Sequence, residues 1–214
     1  MLSRRDLITG VGAAALGLAL VKVDAVRAES NAQKRGPRAD YFPNVTLYTQ
    51  EGKPVRFYDD LIAGKVVAIN VMYTQCEGNC PTSTANLKAV QQILGDRVGK
   101  DIFMYSITFQ PEHDTPEVLR EYTQTHGVGP GWTFLTGAPE DVTQVRRQLG
   151  FYDIDPEVDG DKATHTGMVR IGNEALDRWC MEPVVASAEQ IARTILRLHL
   201  QPEPLKLPRG VLGV

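Results

Sequence analysis

The chain has 214 residues, 43% of them hydrophobic and 23% charged, with 23 basic and 26 acidic side chains for a net charge of −3. An acidic balance of this kind argues against nucleic-acid binding as the main activity, and the length suits one domain with a sizeable core. Three cysteines are too few for a disulfide-stapled scaffold and fit a redox or metal site better.

The first 28 residues read as an address. Ser3-Arg4-Arg5-Asp6-Leu7 is a twin-arginine pattern, an apolar stretch follows to Val21, and Val26-Arg27-Ala28 offers a small-residue cleavage site. The stretch is shorter than the roughly 20 residues that cross a bilayer, which favours a cleaved export signal over a permanent N-terminal anchor. Cutting after Ala28 leaves 186 residues; it removes Arg4, Arg5, Lys22, Arg27, Asp6 and Asp24, so 19 basic side chains face 24 acidic ones, net −5. Residues 29–40 are polar and aperiodic and predict a flexible leader. The domain is expected over 41–200, with a loose C-terminal tail at 201–214 that carries three prolines.

Within the domain, 45–49 and 55–57 predict two short strands around a turn at Gln50-Glu51-Gly52-Lys53. The apolar run at 66–72 predicts a buried strand, and 82–94 a helix with Leu87, Val90 and Leu94 on one face. A strand is expected at 102–108. Thr115-Pro116-Glu117 then supplies a cap, a proline at the first helical position and an acid in the first turn of a helix ending before Gly127. A strand at 132–135 and a helix at 139–149 come next. Residues 151–164 carry acids, Pro156 and Gly160 and predict an exposed excursion, a loop or hairpin. Strands at 167–171 and 176–181, separated by Gly172-Asn173, precede a helix at 188–200 opened by a capping box, Ser187-Ala-Glu-Gln190. Strand pair, alternating strand and helix, then hairpin and helix describe an α/β fold: a central mixed sheet flanked by helices, parallel early and antiparallel late.

The chemistry concentrates at Cys76-Glu-Gly-Asn-Cys80-Pro81, two thiols one helical turn apart just after the buried strand. With Pro81 in the first turn of the next helix, both sulfurs would lie near its N-terminal dipole, which favours thiolate over thiol. Thiolates bind soft metals and exchange disulfides, and a buried structural pair or a simple disulfide is the plainer alternative. Cys180 reads as a small apolar residue packed in a strand, with a secondary metal contact or an intermolecular disulfide as alternatives.

With Thr164-His165-Thr166-Gly167-Met168-Val169 added to Tyr73-Thr74-Gln75-Cys76-Glu77-Gly78-Asn79-Cys80-Pro81, Pro111-Glu112-His113-Asp114-Thr115-Pro116-Glu117 and Trp132-Thr133-Phe134-Leu135-Thr136-Gly137, the chain resembles the SCO/SenC family of copper-handling proteins. The resemblance implies a thioredoxin-like fold with an N-terminal strand pair and an inserted segment before His165. It also implies that Cys76, Cys80 and His165 bind copper together, and that the client is the copper centre of cytochrome c oxidase. Cu(I) suits two thiolates and one neutral imidazole, and Cu(II) would take harder ligands in addition. The family commonly carries acids where this chain has Gln110 and Thr164, and often a proline where it has Glu77. Acids beside a ligand histidine orient it and tune the metal.

The leading expectation is an exported metallochaperone on the periplasmic side of a bacterial inner membrane, serving a respiratory oxidase subunit and drawing on an upstream copper donor or thiol reductant. The alternative is a thiol-disulfide oxidoreductase in which Cys76 and Cys80 form the redox-active pair; its three intervening residues, where thioredoxin-type motifs have two, count against it. A peroxidase and a copper or redox sensor rank lower. Among the other histidines, His113 is the one alternative ligand, in a loop after a central strand; His126 sits at a helix end and His199 on the last helix. Met72 and Met168 are expected to pack in strands, within reach of a role as weak soft ligands. The acids at 153–161 read as a solvated loop face or part of a client-docking surface.

Overall fold

The computed structural model describes residues 36–75, 79–160 and 167–199, with the backbone alone for Asn79 and Cys80. The expected export signal, the leader up to residue 35, Cys76, Thr164, His165 and the tail lie outside them. Strands β1 (Thr46–Thr49) and β2 (Pro54–Arg56) pair antiparallel with Thr46 opposite Arg56. Their turn uses Gly52 at φ 76°, a conformation that costs glycine little. Pro54 lacks an amide donor and sits on the outermost strand, where none is needed.

A turn of π-helix at Phe57–Ile62, absent from the expectations, follows β2 and buries Phe57, Tyr58, Leu61 and Ile62 against the sheet. Next come β3 (Val66–Met72), α1 (Asn79–Leu94), β4 (Ile102–Thr108), α2 (Pro116–Thr125), β5 (Trp132–Gly137) and α3 (Pro139–Leu149). A short helix α4 (Pro156–Gly160) leads to β6 (Met168–Asn173), β7 (Arg178–Pro183) and α5 (Ala188–His199). The seven strands form one sheet in the order β2-β1-β5-β4-β3-β6-β7. The central β5-β4-β3 set is parallel, and β1, β6 and β7 join antiparallel.

Side chains alternate across the sheet, so each face has its own core. On one face Ala68, Met72, Met104, Phe134 and Ile171 pack with Leu87, Val90, Leu119, Tyr122, Ile191 and Ile195 from α1, α2 and α5. On the other, Val67, Ile69, Ile107 and Leu135 meet the π-helical turn and Val142, Val145 and Leu149 of α3. Each Val, Leu, Ile, Phe or Met among them contributes about 1.5–3 kcal/mol when fully buried. The arrangement is the thioredoxin-like α/β fold implied by the resemblance, with β1 and β2 as the N-terminal pair and 150–160 as the described part of the segment between α3 and β6.

Local signals are realised with shifts. Thr115 caps α2 by accepting the Val118 amide, and α3 ends at Gly150, φ 80°. The turn between β6 and β7 falls at Glu174–Leu176 and not at Gly172-Asn173, because the Asn173 side chain accepts the Leu176 amide and Asp177 adopts φ 49°. The excursion contains α4 where a loop or hairpin is expected. Only half of the capping box forms: the Ser187 hydroxyl accepts the Gln190 amide, while the Gln190 side chain donates to Glu182. Residues 36–40, expected within the leader, form turns, with Gly36 N donating to the Tyr58 hydroxyl at 2.7 Å.

Candidate metal centre

Strands β3 and β4 stay paired to their ends, with Met72 opposite Thr108, and the Phe109 amide donates to Met72 O at 2.7 Å just beyond. The chains then separate, a gap at the carboxyl ends of parallel strands where α/β proteins build sites. A tight turn follows β4, in which the His113 and Asp114 amides both donate to Gln110 O. This turn buries Asp114 completely, at 0% exposure. Its carboxylate accepts the Thr74 hydroxyl at 2.5 Å, the Thr108 hydroxyl at 2.5 Å and the Thr74 amide at 3.2 Å. Thr108 in turn accepts the Gln110 amide at 2.9 Å.

Helix α1 takes up the chain at Asn79, so Cys80 and Pro81 lie in its first turn, earlier than the expected start at residue 82. Proline there costs no hydrogen bond, since the first amides of a helix have no internal partner. That turn carries no acidic side chain, leaving the positive end of the dipole uncompensated by a residue of the helix. The helix is held by Leu87, Val90 and Leu94 in the core, by a 2.8 Å hydrogen bond between the Thr84 and Tyr122 hydroxyls, and by Asn86 Nδ2 donating to Val184 O and Ala186 O.

Strand β6 runs antiparallel to β3, with Val169 opposite Asn70, and therefore begins at the end of the sheet where β3 finishes. The Val184 amide donates to Gly167 O at 2.6 Å just before β6. Upstream, α4 is tied to α3 by Arg146 Nη2, which donates to Asp159 Oδ1 at 2.7 Å; the guanidinium also lies 4.0 Å from the Phe109 ring centroid. Burial pulls the Arg146 pKa down and Asp159 counters it.

Cys76, the Cys80 side chain and His165 lie outside the described residues. Among the described residues, no group of three or more His, Cys, Asp or Glu could hold a metal ion. The alternative ligands have other roles. His113 is exposed on its turn, the His126 ring packs 4.1 Å from that of Tyr122, and His199 Nε2 is 3.1 Å from Asp101. Cys180 is half-buried on β7 and packs against the core; burial and the nearby Glu182 push its thiol pKa up, which disfavours the thiolate. Met72 is buried and Met168 packs beside the second core.

Two residues gain importance from the fold. In sequence Asp114 stands only as part of the Pro111–Glu117 segment with no role of its own, and its Thr74 and Thr108 contacts reveal a buried clamp. Gln110 is buried at 8% exposure, with Oε1 lacking a partner among the described residues. No described helix is long and apolar enough to cross a membrane.

Comparison with known proteins agrees with this architecture. The SCO1 protein homolog of Bacillus subtilis (strain 168) is 27% identical over 132 residues, covering 52% of this chain and 67% of its own. Across the curated relatives compared, the aligned segment spans between 39 and 67% of their length. Bradyrhizobium japonicum ScoI, solved with copper bound, superposes with a TM-score of 0.58 at 25% identity, covering 72% of this chain and 96% of that one. BsSco, described as a member of the Sco family of cytochrome c oxidase assembly proteins with a disulfide switch, shares the fold with a TM-score of 0.59 at 22% identity, covering 72% of this chain and 91% of its own. The SCO1/SenC family model matches residues 33–199. On that match, the chain belongs to the SCO1/SenC family.

Proposed function

We propose that the protein is an exported copper metallochaperone that carries one copper on Cys76, Cys80 and His165 and passes it to a respiratory cuproenzyme, with a cytochrome c oxidase subunit as the client. The reading rests above all on one end of the sheet: β3 leaves there toward Cys76 and Cys80, and β6 begins there three residues after His165. Copper bound to a similar fold in Bradyrhizobium japonicum ScoI supports the cargo, and the oxidase-assembly description of BsSco supports the client. Two thiolates and an imidazole suit the soft Cu(I) ion, and a helix N-terminus favours the thiolate form. Residues 1–28 serve as a twin-arginine signal cleaved after Ala28, and the protein works in the periplasm.

Release follows from ligand chemistry. A client thiolate or imidazole displaces one ligand at a time, and exchange with a client disulfide, which is reduced as the pair is oxidised, would remove both sulfurs from the metal. The same pair supports a second reading, favoured by the disulfide switch described for BsSco: thiol-disulfide exchange, in which a client disulfide is reduced while Cys76 and Cys80 are oxidised. A copper titration beside a disulfide-reductase assay separates the two. The chaperone needs His165 for affinity, whereas the oxidoreductase needs the two cysteines alone.

A further inference from the structure

We infer that Asp114 is the positioning residue of the dithiol loop, clamping Thr74 so that the four residues between it and α1 hold the two cysteines in one geometry. The inference rests on the dithiol reading of Cys76 and Cys80 and extends it to a residue that has no part in binding metal itself.

The clamp stands where the sheet can no longer align the chain. Pairing of β3 with β4 ends at Met72 and Thr108, and the last backbone bond across the gap runs from the Phe109 amide to Met72 O. Beyond it the Asp114 carboxylate bridges the diverging strands, taking two donors from Thr74 and one from Thr108. The far end of the loop is equally fixed, since α1 begins at Asn79 and its core residues are buried. Cys76 is thus two residues from one fixed point, and Cys80 is the second residue of the other.

A fully buried carboxylate is costly to desolvate, and such groups are retained where their hydrogen bonds are satisfied. Both Asp114 oxygens are satisfied by donors belonging to the two strand ends. Its other neighbours keep it in place: the Asp114 amide is bonded to Gln110 O, and Thr115 caps α2 directly behind it. Asparagine at 114 would replace one acceptor oxygen by an NH2 group, so a threonine hydroxyl must reverse to accept from it or the Thr74 amide must shift to the remaining oxygen, and the bonds that stay lose the support of the carboxylate charge. The slack would appear at Thr74 and hence in the distance and orientation of the two sulfurs.

The test compares Asp114→Asn, Thr74→Val, Thr74→Ser and Cys76→Ser with the wild-type protein. It measures copper affinity by chelator competition, the dithiol reduction potential in thiol redox buffers, and the thermal midpoint. Asp114→Asn and Thr74→Val are expected to weaken copper binding by about tenfold or more and to shift the potential, as loss of a group that orients a ligand does. Thr74→Ser keeps the hydroxyl and should behave as wild type. If Asp114→Asn fails to fold, Thr74→Val carries the same comparison.

A folded Asp114→Asn or Thr74→Val protein with wild-type affinity and potential overturns the inference, as does a lowered thermal midpoint with both site readouts unchanged. Equal copper binding by wild type and Cys76→Ser would instead remove the copper reading. The potential would still report on the clamp, because it depends only on the thiols.

Discussion

The Tyr58 hydroxyl donates to the Glu174 carboxylate at 2.8 Å, joining the π-helical turn to the end of β6 by a bond that spans 116 positions of sequence. Glu174 is fully buried and also accepts the Gly64 amide at 2.8 Å, while Tyr58 accepts the Gly36 amide. Tyr58→Phe removes the shared hydroxyl and leaves the Gly36 amide without its acceptor. We predict a loss of about 1–3 kcal/mol in denaturant unfolding, the usual cost of an unsatisfied buried group. Since Val66 pairs with Asn173 at this end, the lesion is a strand length from the dithiol loop, and copper affinity should not change.

The Trp179 indole lies across Gly172, its partner on β6, and packs on Phe42 with ring centroids 4.9 Å apart. A methyl group at residue 172 would overlap the ring. Gly172→Ala is therefore predicted to destabilise by about 1–3 kcal/mol, the range for overpacking a filled core. The double variant Gly172→Ala/Trp179→Leu should recover part of that loss, since residues in contact are not additive. Additive thermal shifts would contradict the contact.

Arg146 and Asp159 form an ion pair that is nearly out of solvent, with side chains 5% and 16% exposed. Removing the anion strands the cation, so Asp159→Ala is predicted to cost up to about 3 kcal/mol. It should also make the 153–160 segment more sensitive to limited proteolysis. Asp153→Ala, which leaves Arg146 paired, serves as the comparison. Equal cleavage rates in the two variants would contradict a role for the ion pair.

The Cys180 thiol is pushed up in pKa, first by burial and then by Glu182. A raised pKa means less thiolate at neutral pH. In a Cys76→Ser/Cys80→Ser protein, alkylation of Cys180 should be slow near neutrality and should rise with a midpoint above the ordinary thiol value of about 8.5. A midpoint at or below that value would show a different environment.

Much of the fold can be read from local chemistry. Pro116 and Pro139 mark two helix starts, and the run of β3, apolar except for Asn70, signals a strand covered on both faces. The π-helical turn at Phe57–Ile62 escapes such reading because it is only six residues long: its buried pairs, Phe57-Tyr58 and Leu61-Ile62, recur at helical spacing, but over too short a window to separate a helix from the end of the strand before it. The turn after β6 is misplaced for a related reason: Gly172 looks like a turn residue but serves to admit Trp179. At the candidate site, the cysteines announce themselves by spacing, whereas His165 gains weight only through the family pattern. Asp114 stands in one of the segments that carry the resemblance, but its burial escapes notice, since its partner Thr74 lies 40 positions earlier.

Anaerobic Cu(I) titration of the purified, reduced protein, with affinity set by competition against a chromogenic chelator, tests the central claim most directly. Wild type should bind one copper, Cys76→Ser and Cys80→Ser should lose it, and His165→Ala should weaken it by about tenfold or more while keeping the same fold by circular dichroism. Wild-type affinity in a folded His165→Ala protein would remove the imidazole from the site and contradict copper delivery by these three side chains.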